Sequence, residues 1–219
     1  MRTLFAKIAG RYDVMNRIMS LGLDRSWRRA AIRTLELEPG CRILDLACGT
    51  GDFTAELAKR WPDADITGVD LTPEMLDIAR KKLNADSVTF LQGDAQNLSM
   101  IGDASCALVV CAFGFRNFPD KAKALSECAR ALAPGGRLVV LELFRPGNAL
   151  LGAAVNAWLT AISWLFAYGV RGEYRYLRRS VAGTVSAAEF IAMAEQNGFN
   201  IARKRFLFPA ATCITFTKP

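Results

Sequence analysis

From residue 41 onward, short apolar runs alternate with amphipathic stretches. Residues 41–46, 65–70, 88–91, 107–111 and 137–142 are dense in Val, Ile and Leu, the composition of strands buried on both faces of a sheet. Between them lie a helical stretch at 55–60, a helix opened by Thr72-Pro73-Glu74, and a helix over 120–132 stopped by Pro134-Gly135-Gly136. Thr at the cap with Pro at the first helical position is a start signal. Further on, Ser186 and Glu189 form a capping box that opens a helix ending at Asn197-Gly198, and strand-like runs follow at 199–206 and 212–217. Strands separated by helices imply βαβ units and a mostly parallel sheet, here with seven strands and an antiparallel C-terminal edge. Residues 1–36 stand outside the alternation and read as two helices, at 5–19 and 25–35. One domain is expected over 1–219, with N-terminal helices (1–38), a core (39–146), a separate segment (147–183), and a closing helix with edge strands (184–219).

Composition narrows the chemistry. The 219 residues are 52% hydrophobic and 22% charged, and a chain of this length buries roughly 70% of its unfolded surface without disulfide or metal. The sequence has no His, and its six Cys contain no C-x-x-C pair, which excludes His-based acid/base catalysis and leaves no zinc spacing. The Cys residues read as small buried hydrophobes of a reduced, cytoplasmic protein, and the charged start Met1 to Lys7 is no signal peptide. Residues 1–42 carry 9 Lys/Arg against 4 Asp/Glu, residues 43–142 carry 10 against 14, and residues 143–219 carry 9 against 3. Basic flanks around an acidic middle suit an anionic substrate, a nucleic acid or an anionic lipid surface.

The sharpest motif is Leu44-Asp45-Leu46-Ala47-Cys48-Gly49-Thr50-Gly51-Asp52, a strand running into a glycine turn and a helix. Gly49 and Gly51 permit close approach of a ligand to the backbone, and the helix start offers free N–H groups. A dinucleotide site would need a third glycine where Thr54 stands. Asp45 beside the glycines would repel a pyrophosphate and attract a cation, which favours S-adenosylmethionine, the bearer of a sulfonium and an ammonium. Asp70 closes the second strand, where an acid accepts both ribose hydroxyls of NAD or S-adenosylmethionine alike, and Asp94 follows the third strand, where a carboxylate can take an adenine amino group.

Three acids after three successive strands resemble the class I S-adenosylmethionine-dependent methyltransferases, and 132–138 resembles their turn before the fifth strand. A narrower resemblance, to the menaquinone/ubiquinone biosynthesis C-methyltransferases, rests on residues 12–28 (YDVMNRIMSLGLDRSWR), on Phe113-Gly114-Phe115-Arg116-Asn117 and on Tyr174-Arg175-Tyr176-Leu177. It implies a Rossmann-like fold, with a helical substrate cap at 147–183. The positions it assigns to the cofactor are Asp45, Gly49, Thr50, Gly51, Asp70, Leu71, Asp94, Ala95 and Ala112. Arg116, Asn117 and Tyr12 would lie at the quinol. Relatives often carry Ser where Ala112 stands, and 181–185 and 210–215 depart from the family pattern on the substrate side.

Methylation of a quinol carbon requires a neighbouring phenol to loosen its proton, bringing a pKa near 10 toward 7, about 4 kcal/mol of differential stabilisation. A carboxylate, Tyr12, or a water polarised by a cation are the candidates for that work, with Arg116 stabilising the phenolate and Asn117 orienting the ring oxygen. Other acceptors compatible with the sequence are a phospholipid amine or a small hydrophobic metabolite. A nucleic-acid enzyme is disfavoured, because the aromatic residues near the basic flanks are embedded in apolar runs and no Asn-Pro-Pro-aromatic motif is present. A membrane-surface module without catalysis is disfavoured by the three cofactor acids.

Residues 149–170 form 22 consecutive positions without charge, followed by Arg171, Arg175, Arg178 and Arg179. Spanning a bilayer would put the last strands on the opposite side from the first. The expectation is a cap that houses a prenyl tail and touches an anionic membrane from the cytoplasmic face through Trp158, Trp164, Phe166 and Tyr168.

Overall fold

A computed structural model describes residues 6, 9–83, 86–147, 152–153, 157, 160, 179–207 and 211–219. After a 3-10 turn at Ala9–Arg11 come helices α1 (Tyr12–Met19) and α2 (Asp24–Ile32). The alternating section then comprises β1 (Arg42–Leu46), α3 (Asp52–Arg60), β2 (Asp65–Asp70), α4 (Pro73–Lys82), β3 (Val88–Gln92), β4 (Cys106–Ala112), α5 (Lys121–Ala131) and β5 (Leu132–Glu142). Helix α6 (Ala187–Gln196) and strands β6 (Asn200–Leu207) and β7 (Ala211–Thr217) close the sheet. Most of the expected cap, with Tyr174 to Leu177 and the four aromatic residues assigned to the membrane, lies outside the described residues, as do 1–5 and 7–8 of the first expected helix.

The seven strands lie in the order β3-β2-β1-β4-β5-β7-β6, parallel from β3 to β5, with β7 antiparallel to both β5 and β6. The chain winds outward from β1 to β3 and then returns to place β4 on the other side of β1. Ligands bind beyond the carboxyl ends of the strands at such a reversal. Strand parity sorts side chains to the two faces. Leu44, Leu46, Val109, Cys111, Leu138 and Val140 pack with α5 and α6, while Ile43, Leu108, Val110, Val139 and Leu141 pack with Trp27, Ala31 and Ile32 of α2 and Phe53 and Leu57 of α3. Both faces are covered, which is why the strands are almost continuously apolar. At the outer edge, β6 pairs with β7 alone in this sheet and exposes residues 200–204.

Several boundaries differ from the sequence expectation. Helix α3 begins at Asp52 because Gly51 takes a left-handed φ of 79° and its carbonyl already accepts the Ala55 N–H at 2.9 Å. Strand β5 begins at Leu132, which pairs with Cys106 before a register shift, so the Pro-Gly-Gly segment is an irregularity inside the strand. Lys218 holds it there, accepting from the Gly135 N–H and donating to the Gly136 carbonyl, each at 2.9 Å. Pro73 does start α4, but Thr72 makes no side-chain cap; its N–H donates to Asp70 instead. The capping box of Ser186 and Glu189 is formed.

Candidate active site

The turn after β1 is tied to the end of β2 by one carboxylate. Asp70 Oδ2 accepts the Gly49 N–H at 2.9 Å and Oδ1 accepts the Thr72 N–H at 2.8 Å. Burial raises the Asp70 carboxyl above its ordinary range, and the backbone N–H groups of Thr72 and Gly49 pull against it. Gly51 is required where the turn meets α4, since a Cβ there would sit 3.2 Å from that of Ala79 on a left-handed backbone. Gly114, just past β4, is required for a different reason: its Cβ would lie 2.6 Å from Cys111 Sγ and 2.8 Å from Ala47 Cβ. The turns after the two central strands therefore touch.

Between these turns lies a cavity of about 230 Å³, lined among others by Tyr12, Gly49, Asp70, Leu71, Asp94, Ala95, Ala112, Phe113 and Asn117. Eight of the twelve residues singled out in the sequence thus meet in one place. Its polar groups include two carboxylates and its walls are largely apolar, so it suits a ligand that brings hydroxyl or amino donors on a flat apolar frame. Asp94 holds its own turn as well, accepting the Gln96 N–H at 2.9 Å.

Four residues stand behind the wall instead. Asp45 is 1% exposed and shares the α2/α3 face of the sheet with Ile43; its Oδ2 accepts the Thr54 hydroxyl at 2.7 Å. Burial raises its pKa to about 7 against the pull of Thr54 and Arg28. Asp45 does not line the cavity. Gly51 serves the backbone, and the Thr50 hydroxyl donates to Asp13. Arg116 is buried, its Nη1 donating to Glu142 Oε1 and to the Phe113 carbonyl, both at 2.7 Å. Its side chain is 8% exposed and that of Glu142 is 1% exposed.

Glu142, Phe113 and Gln96 were not assigned roles from the sequence. Glu142 also accepts the Arg116 N–H at 3.0 Å and the Leu143 N–H at 2.7 Å, and so fixes the start of the 3-10 turn Phe115–Asn117. Phe113 has a φ of 60°, unusual for a bulky residue and a mark of imposed strain. Its carbonyl takes Arg116 Nη1 and, at 3.4 Å, Asn117 Nδ2, while the guanidinium groups of Arg28 and Arg116 stand 5.6 Å and 6.0 Å from its ring centroid. The signal for Glu142 was available: it is an acid closing an apolar strand, like Asp70.

Sheet order, reversal point and cavity together define a Rossmann-like methyltransferase fold. Over all of its length, a SAM-dependent methyltransferase of Thermotoga maritima, a possible histamine N-methyltransferase, superposes with a TM-score of 0.71 at 22% identity and 100% coverage of both chains. The chain belongs to the ubiE/COQ5 methyltransferase family, whose model matches residues 1–217. It is 44% identical over 214 residues to the demethylmenaquinone methyltransferase of Deinococcus radiodurans, covering 95% of this chain and 88% of that one. To the demethylmenaquinone methyltransferase of Thermus thermophilus it is 42% identical, covering 99% and 100%.

Proposed function

We propose that this enzyme transfers a methyl group from S-adenosylmethionine to a ring carbon of a prenylated quinol precursor. The observation that carries the reading is the shared cavity, in which Tyr12, Phe113 and Asn117 meet Asp70 and Asp94. Asp70, already held by two N–H groups, would accept ribose hydroxyls with its remaining lone pairs, and Asp94 would accept an adenine amino group beside Leu71 and Ala95. When bound, the cofactor supplies an electrophilic methyl on a sulfonium.

The chain's own residues supply orientation and a dry wall. Asn117 and Tyr12, which line the cavity, would hydrogen-bond a ring oxygen, and Ala112, Phe113 and Phe118 beside them would keep water from the reacting carbon. Arg116 spends its charge on Glu142, so the pair offers a phenol a dipole rather than a full cation. Arg116 is accordingly a positioning residue that acts through Phe113 and Asn117. The uncharged segment 149–170 is assigned to the prenyl tail and to contact with an anionic bilayer surface. Among the described residues no helix is long and apolar enough to cross a membrane.

Methyl-labelled cofactor, incubated with the protein and with anionic vesicles carrying lipid extract from cells lacking it, should label one quinone-type lipid identifiable by mass spectrometry. The protein should float with those vesicles at low salt. Asp70→Asn should weaken cofactor binding in calorimetry by roughly 1.5–3 kcal/mol through loss of charge-assisted bonds. Label on a non-quinone product, or unchanged affinity in Asp70→Asn, overturns the corresponding part.

A further inference from the structure

Helix α1 lies over the glycine turn. None of its described side chains is buried, although Tyr12 lines the cavity and its Cε1 would stand 3.8 Å from a Cβ on Gly49. Among the described residues, its hydrogen bonds to that turn and to α4 run through Asp13. Asp13 accepts from the Thr50 hydroxyl in the glycine turn and, at 2.7 Å, from Lys82 Nζ at the end of α4. The same Nζ reaches Asp52 at 2.6 Å, the first residue of α3, and Thr50 Oγ1 at 3.2 Å. Lys82, Asp13 and Asp52 have side chains 29%, 30% and 15% exposed, so water can compete for these bonds and the tie is weak enough to open. On the other side of α1, Leu21 and Gly22 have φ values of 52° and 77°, and α2 beyond them is rooted in the core through Trp27, Ala31 and Ile32. That end is capped, with the Gly22 N–H donating to the Arg17 carbonyl at 2.7 Å and the Leu21 N–H to the Ile18 carbonyl at 3.1 Å, so the half-exposed polar tie over the cavity is the part of the attachment that water can contest.

We propose that Asp13, Thr50 and Lys82 form a latch that closes α1 over the cofactor, with Asp13 the positioning residue that sets Tyr12 in the cavity. This rests on the cavity being the cofactor site. The latch couples two events: α1 must lift for the cofactor product to leave, and the same contact that delays departure aligns Tyr12. Lys82 senses both partners, because it binds α1 through Asp13 and α3 through Asp52. No residue of the latch need touch the reacting atoms.

Release of tritiated S-adenosylhomocysteine, chased with unlabelled compound, reads the latch without any acceptor. Asp13→Asn and Lys82→Gln should each speed release at least about fivefold, and the double variant should be no faster than the faster single one, since Lys82 reaches α1 through Asp13. Raising salt from about 0.05 M to about 0.5 M should speed release from the wild type and leave Asp13→Asn nearly unchanged. Turnover should show the second half: Tyr12→Phe should cost much less in the Asp13→Asn background than in the wild type. Unfolding midpoints close to that of the wild type are expected for both single variants, because α1 adds no described side chain to the core. Wild-type release rates in both variants, multiplicative effects in the double variant, or a full Tyr12→Phe effect without Asp13 overturn the latch while leaving the methyltransferase reading intact. Failure of the wild type to bind the cofactor overturns both.

Discussion

Replacing Glu142 by Gln should destabilise the protein by about 3–5 kcal/mol, the usual cost of removing one partner of a buried ion pair. The size follows from what the carboxylate holds. Its two oxygens take Arg116 Nη1, the Arg116 N–H and the Leu143 N–H, and its side chain is 1% exposed. An amide can replace one of those acceptors and turns a donor toward the others, leaving a guanidinium with little access to water. The loss should be visible as a lowered urea midpoint with unchanged slope. Because Arg116 fixes the Phe113 carbonyl, turnover per folded molecule should also fall, beyond the effect on folding. A Glu142→Gln protein with wild-type stability would mean that the pair contributes nothing that hydration cannot replace.

Asp45→Asn should have the opposite effect on stability, growing as pH rises from about 4 to about 7 and constant above that. An ordinary Asp titrates near 3.8, whereas Asp45 in the fold titrates at about 7 because burial disfavours its charge. Between these values the folded chain keeps a proton that the unfolded chain gives up. Stability from this group is therefore fully present below about pH 4 and is lost as pH rises through about 7. A separation of about three pK units corresponds to about 4 kcal/mol over the window. Asparagine keeps the acceptor for Thr54 and removes the titration. The variant should match the wild type near pH 4 and exceed it at pH 8, whereas Asp52, Glu127 and Glu189, whose carboxyls are held low, affect both proteins alike. Unfolding midpoints measured across this range test it, and parallel curves would overturn it. A cationic cofactor favours ionised Asp45, so affinity should rise with pH more steeply in the wild type than in Asp45→Asn, where Asp70 alone of the two titrates.

The centre of the sheet was legible because β1, β4 and β5 are covered on both faces and carry apolar runs. Helix ends were less so, since the start of α3 depends on the backbone of Gly51, and the start of β5 depends on pairing of Leu132 with Cys106 across the sheet. Among the acids, Asp70 and Asp94 line the cavity. Asp45 does not, and parity explains why: one residue from Leu44 and Leu46, it falls on the face of Ile43, where Thr54 and Arg28 wait. Arg116 exposed a second limit. Its motif is local, but the partner that claims its charge lies 26 residues further on, and sequence spacing does not reveal that β5 ends beside it.

The outer strand of the sheet has a consequence for how the protein behaves in a crowded solution. An edge of unpaired N–H and C=O groups is a template on which another chain can add a strand. Arg203, Lys204 and Arg205 stand in succession along β6, with Arg203 and Lys204 exposed. A second copy approaching edge to edge would bring the same three cations against them. Mutual repulsion opposes such joining of sheets, and concentrated salt, which screens it, is the condition under which that opposition weakens.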